Sequence, residues 1–269
     1  MKNLSLVKEA QNIDQTHFLD LVTIDDDLED RILNDLKRFV DDFMKDINIK
    51  PVLSVNDLKE FRTSYWQNPA REGQGATRYN SLLWLFIFCR CLKPALVVES
   101  GVFIGRSLWT LRKADPHSKL YAFDINLKTL KFKDTTIEYK EMDWSQSDIK
   151  AKSENDFCYF DDHINNCLRI KQANERGFKH LIFDDSPSVM NLHLFRFPGI
   201  PTAQMLLDNN LKEGDVITWK WRDKFLQYVH SESYTYDVRH LIDKIVVLPD
   251  LKKYTGKSGS DHFVYVRLK

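Results

Sequence analysis

The sequence predicts an α/β protein built on a doubly wound, mostly parallel sheet, preceded by a helical extension. Three observations carry this. From residue 95 onward, short apolar runs alternate with helical patterns, the order that yields parallel strands joined by crossover helices. The run Leu96-Val97-Val98-Glu99-Ser100-Gly101-Val102-Phe103-Ile104-Gly105-Arg106-Ser107 passes from an apolar strand through two glycines into a helix. A second apolar run, Lys119-Leu120-Tyr121-Ala122-Phe123-Asp124, then ends in a carboxylate.

The elements follow in order. Residues 14–47 are acidic and periodic. Leu28, Ile32, Leu36, Phe39, Val40 and Phe43 recur at helical spacing, which predicts an amphipathic helix. Asp25-Asp26-Asp27 marks its first turn, where carboxylates suit the helix dipole. Pro51 and the polar stretch after it read as a connection, and residues 68–75 as a loop by their turn residues. A helix is expected from about 78 to 91, closed by Lys93-Pro94. Strands are expected over 95–99, 120–123, 136–141, 157–160 and 180–183. The last two are joined by a helix over about 164–176, stopped by Gly177. Residues 244–248 and 262–268, with a polar, glycine-containing stretch between them, predict an antiparallel hairpin. The chain thus divides into an extension with a lid loop over 1–77 and an α/β domain over 78–269.

Composition excludes several function classes. Lys plus Arg and Asp plus Glu both number 39 among 269 residues, so no global field draws the chain to nucleic acid or to an anionic membrane. The apolar stretch 82–91 is interrupted by Arg90 and is too short to span a bilayer, so it reads as a buried helix. The first residues, Met1-Lys2-Asn3-Leu4, lack the apolar core of a signal peptide. Cys89, Cys91, Cys158 and Cys167 show no C-x-x-C spacing and read as buried, reduced thiols of a cytoplasmic protein.

The chemistry concentrates at the carboxyl ends of the expected strands, where ligands of doubly wound sheets bind. A glycine loop there admits close backbone approach and aims helix N–H groups above the sheet. With Asp124 placed as a ribose acceptor, the pattern describes a nucleotide-type cofactor pocket. A dinucleotide site would prefer a third glycine, and only Gly101 and Gly105 are present. Asp161-Asp162-His163 ends the fourth strand and Asp184-Asp185 the fifth, and neighbouring strand ends lie about 5 Å apart. Crowded carboxylates resist ionisation unless compensated, and a hard divalent cation such as Mg²⁺ is the simplest compensator. The alternative is that one aspartate of each pair caps the following helix while the others meet solvent or basic partners. Arg106 is placed to touch a cofactor carboxylate or to pair with a nearby acid. Gly73-Gln74-Gly75, with Arg78 and Asn80, forms either a lid or a surface loop. The segments 195–201 and Trp219-Lys220-Trp221-Arg222, rich in aromatic and basic residues, suit an acceptor cover or sugar stacking, and equally a homodimer surface.

The form E-x-G-x-x-x-G-x-S, from Glu99 to Ser107, resembles motif I of class I S-adenosylmethionine-dependent methyltransferases. The resemblance covers roughly residues 78 to 269. It implies a Rossmann-like methyltransferase fold of seven strands, the last antiparallel beside the fifth. It also implies that Glu99, Gly101, Gly105, Arg106 and Ser107 belong to the cofactor site, with Asp124 on the ribose and Asp143 and Trp144 at the adenine. The acidic pairs resemble the metal sites of O-methyltransferases of the catechol and macrolide-sugar types. By that pattern Asp162 matches the first ligand, with Asp161 as the alternative, and Asp184 and Asp185 match the second pair. A cation would then activate a substrate hydroxyl, with His163 as the candidate base. The implied activity is cation-assisted, S-adenosylmethionine-dependent O-methylation of a small-molecule or glycan acceptor. Cephalosporin-hydroxylase-like proteins resemble the same acidic set. A non-methylating enzyme and a catalytically silent binding or assembly protein are therefore the alternatives.

Overall fold

In chain order the helices are α1 (Asp26–Asp46), α2 (Val55–Trp66), α3 (Tyr79–Leu92), α4 (Arg106–Ala114), α5 (Asn166–Glu175), α6 (Ala203–Asp208), α7 (Glu232–Arg239) and α8 (Lys252–Thr255). The strands are β1 (Leu96–Ser100), β2 (Lys119–Asp124), β3 (Ile137–Glu141), β4 (Phe157–Phe160), β5 (His180–Phe183), β6 (Val216–Trp221), β7 (Lys224–Val229), β8 (Ile242–Val247) and β9 (Val264–Leu268). This computed structural model describes residues 24–73, 75–257 and 262–269. Seven strands form one sheet in the order β3-β2-β1-β4-β5-β9-β8. β1 to β5 are parallel and β9 runs antiparallel to both β5 and β8. The doubly wound sheet, with its antiparallel strand beside the fifth, is the fold expected from the sequence.

The central strands are apolar throughout because both of their faces are covered. Along β1, Val97 joins one core and Leu96 and Val98 the other, and along β4 Phe157 and Tyr159 alternate with Cys158 and Phe160 in the same way. Successive strand side chains point to opposite faces, so one short run serves two layers. α1, α2, α3 and α4 cover one face; α5, α6 and α7 cover the other. α3 lies so deep that Trp84, Phe86, Phe88 and Cys89 are fully buried, which explains an apolar run without helical periodicity. All four cysteines are buried free thiols. Among the described residues, no helix is long and apolar enough to cross a membrane.

The N-terminal helices share the core with the sheet. Leu36, Val40 and Met44 of α1 and Leu58 and Phe61 of α2 are buried in the same cluster as α3 and the sheet. Asp25 caps α1 by accepting from the Leu28 amide at 2.7 Å, so the acidic run starts the helix as expected. The part of that expectation over residues 14–23 lies outside the described residues.

Two segments differ from the sequence reading. The stretch after Pro51 is not a connection but α2, started by a reciprocal capping box between Ser54 and Asp57. That motif was readable, and the polarity of the segment obscured it. Residues 216–229 form the separate hairpin β6–β7. Its inner face, which includes Trp219 and Trp221, lies against the turn over 189–194 and the residues after it.

Candidate functional site

Strand register builds the site. Ser100, Phe160 and Phe183 stand side by side at the ends of β1, β4 and β5. The ladder runs one residue further, with the Asp161 amide donating to the Ser100 carbonyl at 2.8 Å and the Asp184 amide to that of Phe160 at 2.9 Å. Asp161 and Asp184 are thereby neighbours. Their carboxylates, with those of Asp185 and the His163 ring, face a cleft of about 660 Å³. Ligand atoms of Asp161, His163 and Asp185 lie within 4.8 Å of one another, and His163 Nδ1 is 3.9 Å from Asp185 Oδ2. Both His163 (φ 57°) and Asp185 (φ 46°) hold left-handed backbone, a costly conformation for non-glycine residues that concentrates at working sites.

Behind this cluster a relay of hydroxyls is buried. Tyr159 donates to Asp184 Oδ2 at 2.9 Å and shares a 3.0 Å hydrogen bond with Thr77. Burial, reinforced by Asp184 and Asp185, pushes the Asp161 carboxyl well above its ordinary range. Burial and Asp185 push Asp184 up to about 7, and burial raises Asp185 against the opposing pull of Arg78. Among the described residues no hydrogen bond or ion pair reaches the Asp161 carboxylate. Three carboxylates converging with so little compensation form a preformed set of oxygen donors.

Asp162 stands apart from this set. Its carboxylate accepts from Ser100 Oγ (2.6 Å), the Ile164 amide (3.2 Å) and Arg169 Nε (2.9 Å). Of the two candidates for the first ligand, Asp161 faces the cleft, whereas Asp162 is held by Arg169. The two residues expected at the adenine also have partners inside the protein. Asp143 accepts from both Arg169 Nη atoms (3.2 and 2.7 Å) and from the Ser145 amide. Arg169 and the Ser145 bonds hold Asp143 down at about 2 despite its burial. Trp144 is fully buried in the core beside Phe160 and Phe178 and presents no face to a ligand. Arg169 itself is fully buried and bridges Asp143 and Asp162; nothing in the sequence distinguished it from any other helical arginine.

The glycine loop also uses its freedom internally. Gly101 has φ +90°, and a Cβ there would stand 2.3 Å from the Asp161 carbonyl oxygen. The close approach is thus to the β4 end, which it allows to carry Asp161 into the cleft. Gly105 (φ +81°) packs against Leu130 and Phe132. Asp124 Oδ2 accepts from the Val102 and Phe103 amides, both at 2.9 Å, and Oδ1 from Asn126. It clamps the loop, and Oδ1 retains lone pairs for another donor. Ser107 Oγ donates to Glu99 Oε1. Glu99 Oε2 is buried without a partner, and burial pushes this carboxyl up to about 8 against the Ser107 hydrogen bond.

Arg106 is bound to backbone carbonyls. Its guanidinium donates to the carbonyls of Ala70 (3.0 Å), Arg71, Gly73 (2.9 Å), Ala76 (3.2 Å) and Thr77 (3.0 Å). One buried side chain of α4 thus pins the segment that brings Thr77 to Tyr159 and Arg78 to the cleft. Gln74 of the expected lid lies outside the described residues. Asn80 is buried, bonded to the Lys257 carbonyl and to Thr255, away from the cleft. Sequence reasoning missed Tyr159 and Thr77; a tyrosine inside an otherwise apolar strand was the available signal.

No family model and no curated protein matches the chain. Among solved structures it is similar to the SAH-bound Podospora anserina methyltransferase PaMTH1, at 10% identity over 93% of this chain and 98% of that one, with TM-score 0.43. It is also similar to the Bacillus cereus O-methyltransferase in complex with SAH, at 12% identity over 86% and 97%, with TM-score 0.44. The SAM complex of TomG, the Streptomyces achromogenes O-methyltransferase of tomaymycin synthesis, matches at 11% identity over 86% and 96%, with TM-score 0.43. At these identities and scores the likenesses carry no argument about the site.

Proposed function

We propose that the chain is a divalent-cation-assisted, S-adenosylmethionine-dependent O-methyltransferase acting on a small hydroxylated or sugar-containing acceptor. One observation carries this reading: ligand atoms of Asp161, His163 and Asp185 lie within 4.8 Å of one another, and together with Asp184 they line a cleft at the carboxyl edge of the sheet.

The residues present fit both groups in part. Asp161, Asp184 and Asp185 offer oxygens suited to Mg²⁺. Asp124 Oδ1 retains acceptor capacity on the glycine-loop side, whereas Glu99 Oε2 is buried without a partner. When bound, S-adenosylmethionine supplies an electrophilic methyl group, and the cation supplies Lewis acidity at an acceptor oxygen.

The chain's own residues supply orientation and proton transfer. Asp161, Asp184 and Asp185 would hold the cation, and Tyr159 fixes the Asp184 carboxylate through its hydroxyl. His163, half-exposed at the rim and 3.9 Å from Asp185, receives the proton of the acceptor hydroxyl. Orientation of two bound reactants accounts for most of the rate under this reading. The internal use of Asp143 and Trp144 favours a second reading, a catalytically silent binding protein.

Calorimetry with S-adenosylmethionine and its demethylated product, with and without Mg²⁺, separates the two. The enzyme reading expects both cofactor forms to bind and Mg²⁺ to bind with a loss of at least tenfold in affinity on Asp161→Asn. Binding of neither cofactor form would favour the silent protein. Mg²⁺ binding insensitive to both Asp161→Asn and Asp185→Ala would remove the cation from the mechanism.

A further inference from the structure

The cleft that holds the acid cluster also holds cationic side chains. Arg78 and Arg196 line it together with Phe197 and Trp221. The Arg196 guanidinium lies 4.5 Å from the Phe197 ring centre and 5.4 Å from that of Trp221. Arg222 lies 4.4 Å from the same Trp221 ring. Trp221 is thus engaged by guanidinium groups rather than left open for a sugar. Rings that hold a guanidinium flat leave its in-plane N–H groups free to donate.

These arginines are not neutralised. Arg62, Arg90, Arg169 and Arg267 each pair with a carboxylate elsewhere in the molecule, whereas Arg78 and Arg196 make no ion pair among the described residues. Arg78 and Arg196 set two positive charges against the three aspartates of the cleft. A divalent cation bound by those aspartates would turn a deficit of one charge into a surplus of one. An anion is then attracted to the arginines and repelled from the carboxylates.

We infer that the cleft takes an acceptor bearing an oxyanion, carboxylate or phosphate, held by Arg196 and Arg78 with its hydroxylated end toward Asp161, Asp184 and Asp185. The inference rests on the proposed methyltransferase reading and names its substrate class. Both oxyanions match the fork of donors that a guanidinium presents.

Full-length protein saturated with S-adenosylhomocysteine and Mg²⁺ is titrated with catechol, 3,4-dihydroxybenzoate and 3,4-dihydroxyphenyl phosphate. At least one anionic probe is expected to bind about tenfold more tightly than catechol. The stronger of the two assigns the oxyanion. In the double variant Arg78→Ala, Arg196→Ala that advantage is expected to shrink to about twofold, while S-adenosylhomocysteine affinity holds; Arg196→Lys is expected to retain part of it. Equal affinities for the three probes, no binding of any of them, or an advantage untouched by the double variant would each overturn the inference. Failure of the protein to bind S-adenosylhomocysteine or Mg²⁺ at the outset is a separate result, which overturns the methyltransferase reading itself.

Discussion

Asp184 accepts hydrogen bonds from Tyr159 and from the Asp185 amide, yet its carboxyl is pushed up to about 7 by burial and by Asp185. A carboxyl with a higher pKa folded than unfolded binds more protons in the folded state, so stability is lost as pH rises between the two values. Asp161, Asp185 and Glu99 are shifted in the same direction, Glu99 to about 8. The cation-free protein is therefore expected to melt at lower temperature as pH rises from about 5 to about 8, a trend that calorimetric scans read directly. Protons and cation compete for the same oxygens, so Mg²⁺ is expected to raise the melting temperature more at the upper end of that range than at the lower. Asp184→Asn keeps an acceptor for Tyr159 and removes one buried charge. It is expected to stabilise the cation-free protein by roughly 1–2 kcal/mol near pH 8 and to abolish most of the Mg²⁺-dependent gain. A destabilised variant with an intact Mg²⁺ response would show that Asp184 is a structural residue only.

At the scale of elements, Arg106 of α4 donates to five carbonyls between Ala70 and Thr77, and Lys131 adds one to Glu72. Hydrogen bonds from a charged donor contribute about 1.5–3 kcal/mol each when a partner is lost, and they are not additive. Arg106→Ala is expected to cost about 3 kcal/mol overall and to open the segment, seen as faster limited proteolysis at Arg71 and Arg78. Because that segment carries Thr77 to Tyr159, Mg²⁺ affinity is expected to fall with it. Unchanged cleavage at these two sites would mean that other contacts hold the loop. Arg106→Lys, which cannot reach five carbonyls, is expected to fall between the two. The hairpin β6–β7 also borders the cleft: Trp219 Nε1 donates to the Phe195 carbonyl at 3.1 Å, which ties the hairpin to the residues beside Arg196. These two elements, from distant parts of the chain, both contribute to the lining of the cleft.

At the scale of the molecule, α1 and α2 bury their apolar faces in the core that also holds α3 and the sheet. Phe43 of α1 lies 5.1 Å from Trp84 of α3, and Trp84 Nε1 donates to the Pro249 carbonyl at 2.9 Å. A shared core of this kind predicts one unfolding transition, coincident by tryptophan fluorescence and far-ultraviolet circular dichroism. Val40→Asp, which places a charge in a fully buried position, is expected to lower the midpoint of that whole transition, by about 3 kcal/mol or more. A separate early transition, shifted alone by the variant, would show that the N-terminal helices fold as a unit of their own.

The sequence by itself determined the strands of the seven-stranded sheet, the closing hairpin among them, but not the separate hairpin β6–β7. The strands of the sheet follow from local patterns: apolar runs of strand length, glycines at turns and carboxylates at strand ends each act within a few residues. It also determined that acidic pairs meet at adjacent strand ends, since β-sheet spacing is fixed. Only the tertiary structure decided which aspartate of the first pair faces the cleft, because a one-residue step reverses direction and Arg169, buried seven residues away, claims Asp162. It likewise decided that Arg106 binds loop carbonyls, that Asp143 and Trp144 serve the interior, and that Arg78 and Arg196 line one cleft. Those assignments depend on which side chains meet across distant segments, and buried charges go where a partner compensates them, a condition that spacing along the chain does not encode.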